Sequence, residues 1–88
     1  MSKYQKTLHQ VLSGVSDSNI DFEELCRLLI LLGFEDRTKG SHRIFSRRMI
    51  VEIINLQPKG AKAKAYQVKQ VRNLILNYKL AEENQDEI

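Results

Sequence analysis

Apolar side chains recur along this chain with two different periods, and the change of period divides it. Over residues 3–13, Tyr4, Leu8, Val11 and Leu12 fall on one side of a 3.6-residue repeat, which predicts an amphipathic helix that Gly14 can end. His9 lies on the flank of that stripe and reads as an exposed helix residue. Gly14 to Asn19 is a polar connection. A second helix is predicted from Asp21, where Asp21 at the N-cap and Glu24 three residues on form a capping-box pattern. Phe22, Leu25, Cys26 and the run Leu28 to Leu32 make this helix apolar nearly all round, so it requires cover on more than one side. The first helix is the natural cover. Gly33 then closes the second helix at C′.

Beyond Gly33 the period falls to two. Phe34–Thr38 and His42–Arg47 are predicted to pair as a hairpin around Lys39-Gly40, and Met49–Leu56, with β-branched Ile50, Val51, Ile53 and Ile54, is the strongest strand signal. Alternation puts Met49, Val51 and Ile53 on one face and Ile50, Glu52 and Ile54 on the other. His42 shares a face with Ile44 and Ser46, and Arg43 with Phe45 and Arg47, so either Ile44 or Phe45 looks away from the core. Gln57–Ala65 reads as a solvated loop with three lysines. It runs into a last helix from about Tyr66, with Val68, Val71, Leu74, Ile75 and Tyr78 inward and Lys69, Arg72 and Lys79 outward. Strands grouped between helices, rather than alternating with them, predict an α+β fold: a three-stranded antiparallel sheet with helices on one face.

Eighty-eight residues, 42% hydrophobic and 28% charged, suit one small globular domain. The expected divisions are a helical extension and linker over 1–19, a main domain over 20–80 and an acidic tail over 81–88. No apolar run approaches the ~20 residues of a membrane span, and Met1 to Lys6 is not followed by the apolar core of a secretory signal. The single cysteine, Cys26, reads as a reduced core thiol, which fits a cytoplasmic protein.

The net charge of +3 conceals a gradient: from Arg37 to Arg72 there are ten basic residues and one acid, Glu52. The other end carries Glu82, Glu83, Asp86 and Glu87, either a solvated tail or a segment that folds back to compete with a polyanion. A basic segment of this density points to a polyanionic partner. Within it, His42 falls at a turn-to-strand junction. An imidazole in water titrates near ~6.5 and so suits proton transfer at cellular pH, although a lone histidine at a strand end is also a common surface residue.

The run Gly40-Ser41-His42-Arg43-Ile44-Phe45, preceded by Gly33-Phe34 and a polar strand and followed by an apolar strand and a helix, resembles the HicA toxins of bacterial type II toxin–antitoxin systems. The likeness spans about residues 20–80, and Tyr66-Gln67-Val68-Lys69-Gln70-Val71-Arg72-Asn73 also resembles the last helix of a longer branch of that family. It implies an α-β-β-β-α core similar to a double-stranded-RNA-binding domain, with an added N-terminal helix. It further implies a cytoplasmic endoribonuclease of messenger RNA that uses His42, needs no metal or cofactor, has no membrane association, and is neutralised by a HicB-like antitoxin.

Two features depart from the family pattern. Asn55-Leu56-Gln57-Pro58-Lys59-Gly60 lacks the histidine that many members carry after the third strand, and the shortest members lack the first helix. RNA supplies its own nucleophile, the 2′-OH, so a metal-free nuclease needs a base, an acid for the leaving 5′-oxygen, and positive charge near the phosphorane. On this reading His42 is the base, and Lys39, Ser41, Arg43 and either Arg47 or Lys62 hold the scissile phosphate; water or a lysine is the acid. Phe45 and Tyr66 are the aromatics available to stack bases. A non-catalytic RNA-binding module and a protein-interaction domain with a basic face remain as alternatives.

Overall fold

Ser2 starts the first helix, α1 (Lys3–Ser13), through a reciprocal cap: its hydroxyl accepts from the Gln5 amide at 3.1 Å and the Gln5 side chain accepts from the Ser2 amide at 3.4 Å. The computed structural model describes residues 2–81, so the acidic stretch expected at the carboxyl end lies, beyond Ala81, outside the described residues. After α1 comes a short 3-10 turn at Asp17–Asn19, then α2 (Phe22–Leu31), strands β1 (Glu35–Lys39), β2 (His42–Ser46) and β3 (Ile54–Leu56), a small hairpin of β4 (Pro58–Lys59) and β5 (Lys62–Ala63), and α3 (Ala65–Asn77). The α+β class and the three-stranded antiparallel sheet, in the order β1-β2-β3, are as the sequence pattern predicts.

One core unites the elements. Val11 of α1, Leu25 and Leu29 of α2, Phe45 of β2, Ile54 and Leu56 of β3, and Val68 and Val71 of α3 are all fully buried in it. The apolar girth of α2 is covered by α1 on one side and by β5 on another, and its buried residues join the common core, while Ile30 and Leu31 at its end stay about half exposed. α2 ends in a Schellman arrangement, with the Gly33 amide donating to Ile30 O and the Phe34 amide to Leu29 O, both at 3.0 Å. Phe34 is spent on that closure, which moves the start of β1 to Glu35.

Three expectations change. The capping box at Asp21 does not form: its carboxylate turns to Lys62 Nζ at 2.7 Å, and Glu24 turns to Lys3 Nζ at 3.2 Å. The Phe22 amide donates instead to Ala61 O at 2.9 Å, so the hairpin β4–β5 takes over the cap. Ionic partners from distant elements outcompete the local amides.

The loop expected over 57–65 is in fact that hairpin. It turns at Gly60 (φ 61°), and Ala63 docks its amide on Ile20 O at 2.8 Å.

The strand predicted over 49–56 is paired only from Ile54. Met49 takes a left-handed conformation (φ 77°) and the Ile50 amide closes a turn onto Arg47 O at 3.0 Å, which carries 49–53 off the ladder. Its face alternation persists: Met49, Val51 and Ile53 are 89%, 88% and 62% exposed, while Ile54 is buried and Ile50 half-buried.

Candidate active site

Lys39 and His42 face each other across a two-residue turn, and of the turn residues only Gly40 has a positive φ, 63°. That is the type II′ pattern, which suits the twist of a hairpin and asks for glycine at the first turn position. A Cβ on Gly40 would meet nothing within 4 Å, so backbone conformation alone demands glycine there.

The sequence leaves open whether Ile44 or Phe45 faces inward, and burial answers it: Phe45 is fully buried and Ile44 half-buried. His42, two residues before Ile44, therefore stands on the face turned away from the helices. Directly opposed residues of an antiparallel pair share a face. The pairs Arg37↔Ile44, Lys39↔His42 and Ile44↔Asn55 thus bring Arg37, Lys39, His42, Ile44 and Asn55 onto this open surface. Arg37, Lys39 and Ser41 are exposed, and His42 is half-buried.

His42 has a defined partner, its Nδ1 lying 2.9 Å from Asn55 Oδ1. With Asn55 Oδ1, which only accepts, as its partner, the contact assigns the hydrogen to Nδ1 and the lone pair to Nε2. An imidazole in that form is ready to take a proton at Nε2. Among the described residues no group of three or more His, Cys, Asp or Glu is placed to hold a metal ion.

The other expected phosphate ligands are dispersed. Arg43 points to the opposite face, where Nε donates to Asp36 Oδ2 at 3.1 Å, Nη2 makes a short contact to the same oxygen, and Nη1 donates to Glu23 Oε1 at 3.0 Å. The hydrogen bond from Arg43 to Asp36 holds the guanidinium above its already high ordinary pKa, and the group sits 5.7 Å from the Phe45 ring centroid. Arg43 is therefore a strut between α2 and the sheet. Arg47 lies against the end of α2, where a Cβ on Gly33 would come within 3.3 Å of its Nε. Lys62 is paired with Asp21, and that contact pulls the Asp21 carboxyl below the usual carboxylate range. Lys59, Lys62 and Lys64 line a cleft with Ser18 near the start of α3, a second basic group separate from the hairpin turn. Phe45, wholly in the core, cannot stack on a base, whereas Tyr66 is 65% exposed.

Two site residues were not found by reading the sequence. Asn55 interrupts an apolar strand, and Gln67 occupies an inward position of α3, 3% exposed, four residues before Val71. Gln67 Nε2 donates to Asn55 O at 3.2 Å and its Oε1 accepts from the Gln57 amide at 3.3 Å. A polar residue inside an apolar period is the signal that could have flagged each of them.

Compared with family models, curated proteins and solved structures, the chain matches none. Among the described residues no helix is long and apolar enough to cross a membrane.

Proposed function

We propose that this chain is a metal-independent endoribonuclease of messenger RNA, the cytoplasmic toxin of a toxin–antitoxin pair of the HicA/HicB kind, with a fold like that of double-stranded-RNA-binding domains and His42 as its catalytic residue. The observation that carries the proposal is the placement of His42. Its imidazole stands on the open face of the sheet, opposite Lys39 and beside exposed Ser41 and Arg37, with Nδ1 occupied by Asn55. A buried imidazole, or one on the helix-covered face with Arg43, would not reach a phosphate.

In the proposed step Nε2 takes the proton of a ribose 2′-OH as O2′ attacks phosphorus. The P–O5′ bond breaks, O5′ leaves with a proton from water or from Lys39, and the products are a 2′,3′-cyclic phosphate and a 5′-OH end. Lys39 and Ser41 lie where they can meet the phosphate oxygens, and Arg37 extends the cationic surface along β1. Arg43 and Lys62 have no part in this step, because Asp36 with Glu23 and Asp21 hold their side chains, and Arg47 lies against the end of α2 beside Gly33. A positioned proton acceptor contributes ~10²–10⁴-fold, so a site with one histidine is a slow nuclease.

A protein partner is supported by a separate observation. Met49, Val51 and Ile53 expose three apolar side chains in a row beside β3, more than a solvated segment needs. We assign this strip to the contact with the antitoxin.

The test is His42→Ala. Wild-type protein, incubated with a transcript in the presence of a chelator, should produce cyclic-phosphate ends, and its expression should arrest growth. The variant should lose both, by at least ~10²-fold in rate, while keeping its fold and its affinity for RNA. Cleavage that survives in the variant, or a wild type that neither cleaves RNA nor slows growth, would overturn the proposal.

A further inference from the structure

We infer that Asn55 is a positioning residue for His42: its side-chain oxygen fixes which imidazole nitrogen bears the hydrogen, and Gln67 holds Asn55 in place to do so. The inference rests on His42 being the proton acceptor of the proposed nuclease, although its physical content is measurable without RNA.

β3 is three residues long and lies at the edge of the sheet, so β2 supports only one of its sides. Such an edge is ordinarily the least constrained part of a sheet. Here the outer side is occupied by a side chain. The Gln67 carboxamide donates to Asn55 O and accepts from the Gln57 amide, meeting backbone groups two residues apart much as a neighbouring strand would. Gln67 is almost wholly buried on α3, so this clamp is anchored in the core. The backbone at Asn55 is thereby fixed from both sides. Its side chain reaches diagonally across the open face to His42, because Ile44, not His42, is its direct partner in register.

The consequence is chemical. A free imidazole exchanges its hydrogen between the two nitrogens and turns about its χ angles, whereas an acceptor on Nδ1 selects one tautomer and one ring orientation. With Nδ1–H donating to Asn55 Oδ1, the basic lone pair is on Nε2. A carboxylate in place of the amide would add charge and stabilise the protonated ring. Asn55 supplies the orientation without placing a charge beside the ring.

The experiment uses the full chain labelled with ¹⁵N-histidine. His9, exposed on α1, is the only other histidine and serves as an internal reference. Proton–nitrogen correlation spectra of the neutral state should show Nδ1 protonated and Nε2 unprotonated at His42 in the wild type. Asn55 is exposed, so Asn55→Ala should fold, and there the preference for Nδ1–H should be lost. In Asn55→Asp the tautomer should be kept and the midpoint of the His42 titration should move to higher pH. In RNA cleavage, Asn55→Ala should lower kcat by about 10–100-fold with little change in KM, and Asn55→Asp should move the acidic limb of the rate profile upward. An unchanged tautomer in Asn55→Ala, or an unmoved titration in Asn55→Asp, overturns the inference. If the spectra behave as expected but wild-type protein cleaves no RNA, the positioning role stands and the nuclease reading alone fails.

Discussion

Arg72 Nη1 lies 2.9 Å and 3.2 Å from the two carboxylate oxygens of Asp17 and 3.2 Å from the carbonyl oxygen of Val11, so one guanidinium ties α3 to the last turns of α1 and to the 3-10 turn behind it. Both side chains are largely covered, 16% and 22% exposed. Val11 O is among the carbonyls that the end of α1 leaves without a helical donor, and Arg72 supplies one. Removing Arg72 leaves both Asp17 and that carbonyl short of a partner. Arg72→Ala should cost about 2 kcal/mol, read as a fall in Tm of ~10 °C. Arg72→Lys should recover part of this, because lysine keeps the charge but not the fork of donors. A loss below ~0.5 kcal/mol would place Arg72 among ordinary surface residues.

Arg43 and Lys39 separate stability from binding. Arg43 spans Asp36 and Glu23 beneath the sheet, and Asp36 Oδ1 is already buried without a hydrogen-bond partner. Arg43→Met would leave the Asp36 carboxylate with neither charge compensation nor a donor, at a cost of about 2–3 kcal/mol. The RNA affinity of the folded variant should not change. Lys39→Ala should do the reverse: stability within ~0.5 kcal/mol of wild type, weaker RNA binding, and a salt slope reduced by about 0.7 for a single strand. Denaturation curves beside fluorescence anisotropy over a salt series would check both halves.

The two variants also mark what can be read from sequence. The order of the first two helices, the three sheet strands and the last helix, the turn at Gly40 and the alternation of residues 49–56 between two faces are local, because each follows from period, turn chemistry or parity. Partner choice among charges is not. Asp21 finds Lys62 across 41 residues, Arg43 finds Glu23 across 20 and Arg72 finds Asp17 across 55, and nothing in a charge's own neighbourhood announces this. The sequence alone therefore puts Arg43 and Lys62 on the phosphate and Arg72 on the outward side of the last helix, with no sign of the carboxylates that hold them. Asn55 was hidden for a related reason: its reach to His42 depends on the pairing Arg43↔Leu56, which only the folded sheet sets. The late start of β3 depends on the left-handed turn at Met49, a residue whose side chain gives no hint of it.

Cys26 should be inert until the protein unfolds. It is 1% exposed, and burial pushes its thiol from an ordinary 9.0 up to about 11, against a smaller opposing pull from Arg43. Two logarithmic units mean roughly 100-fold less thiolate at pH 8 before access is considered. Iodoacetamide should therefore label native protein more than ~10²-fold more slowly than urea-unfolded protein. Because the folded value is the higher one, stability is intact below pH 9 and should decline as pH rises from about 9 towards 11, where the unfolded thiol ionises and the folded thiol does not. A Cys26→Ala variant should lose that component of the alkaline decline. Fast labelling of the native state would show that the helix pair opens locally.

The register of β3 gives the sharpest contrast within one short stretch. Val51 and Ile53 are exposed beside the ladder, while Ile54 is fully buried against Phe45, its partner in register. The unpaired segment is tethered at two points, by Ile50, half-buried against the core, and by the Tyr78 hydroxyl, which donates to Glu52 Oε1 at 2.6 Å. Neither tether involves the outward residues. Val51→Thr and Ile53→Thr should each leave the urea midpoint nearly unchanged, within ~0.5 kcal/mol, whereas Ile54→Ala should cost about 2–4 kcal/mol by opening a cavity beneath the sheet. A slip of one residue would exchange these outcomes, because it turns every side chain of a strand to its other face. The same slip would carry Asn55 inward and away from His42, so the three substitutions test by stability alone the geometry on which the site depends.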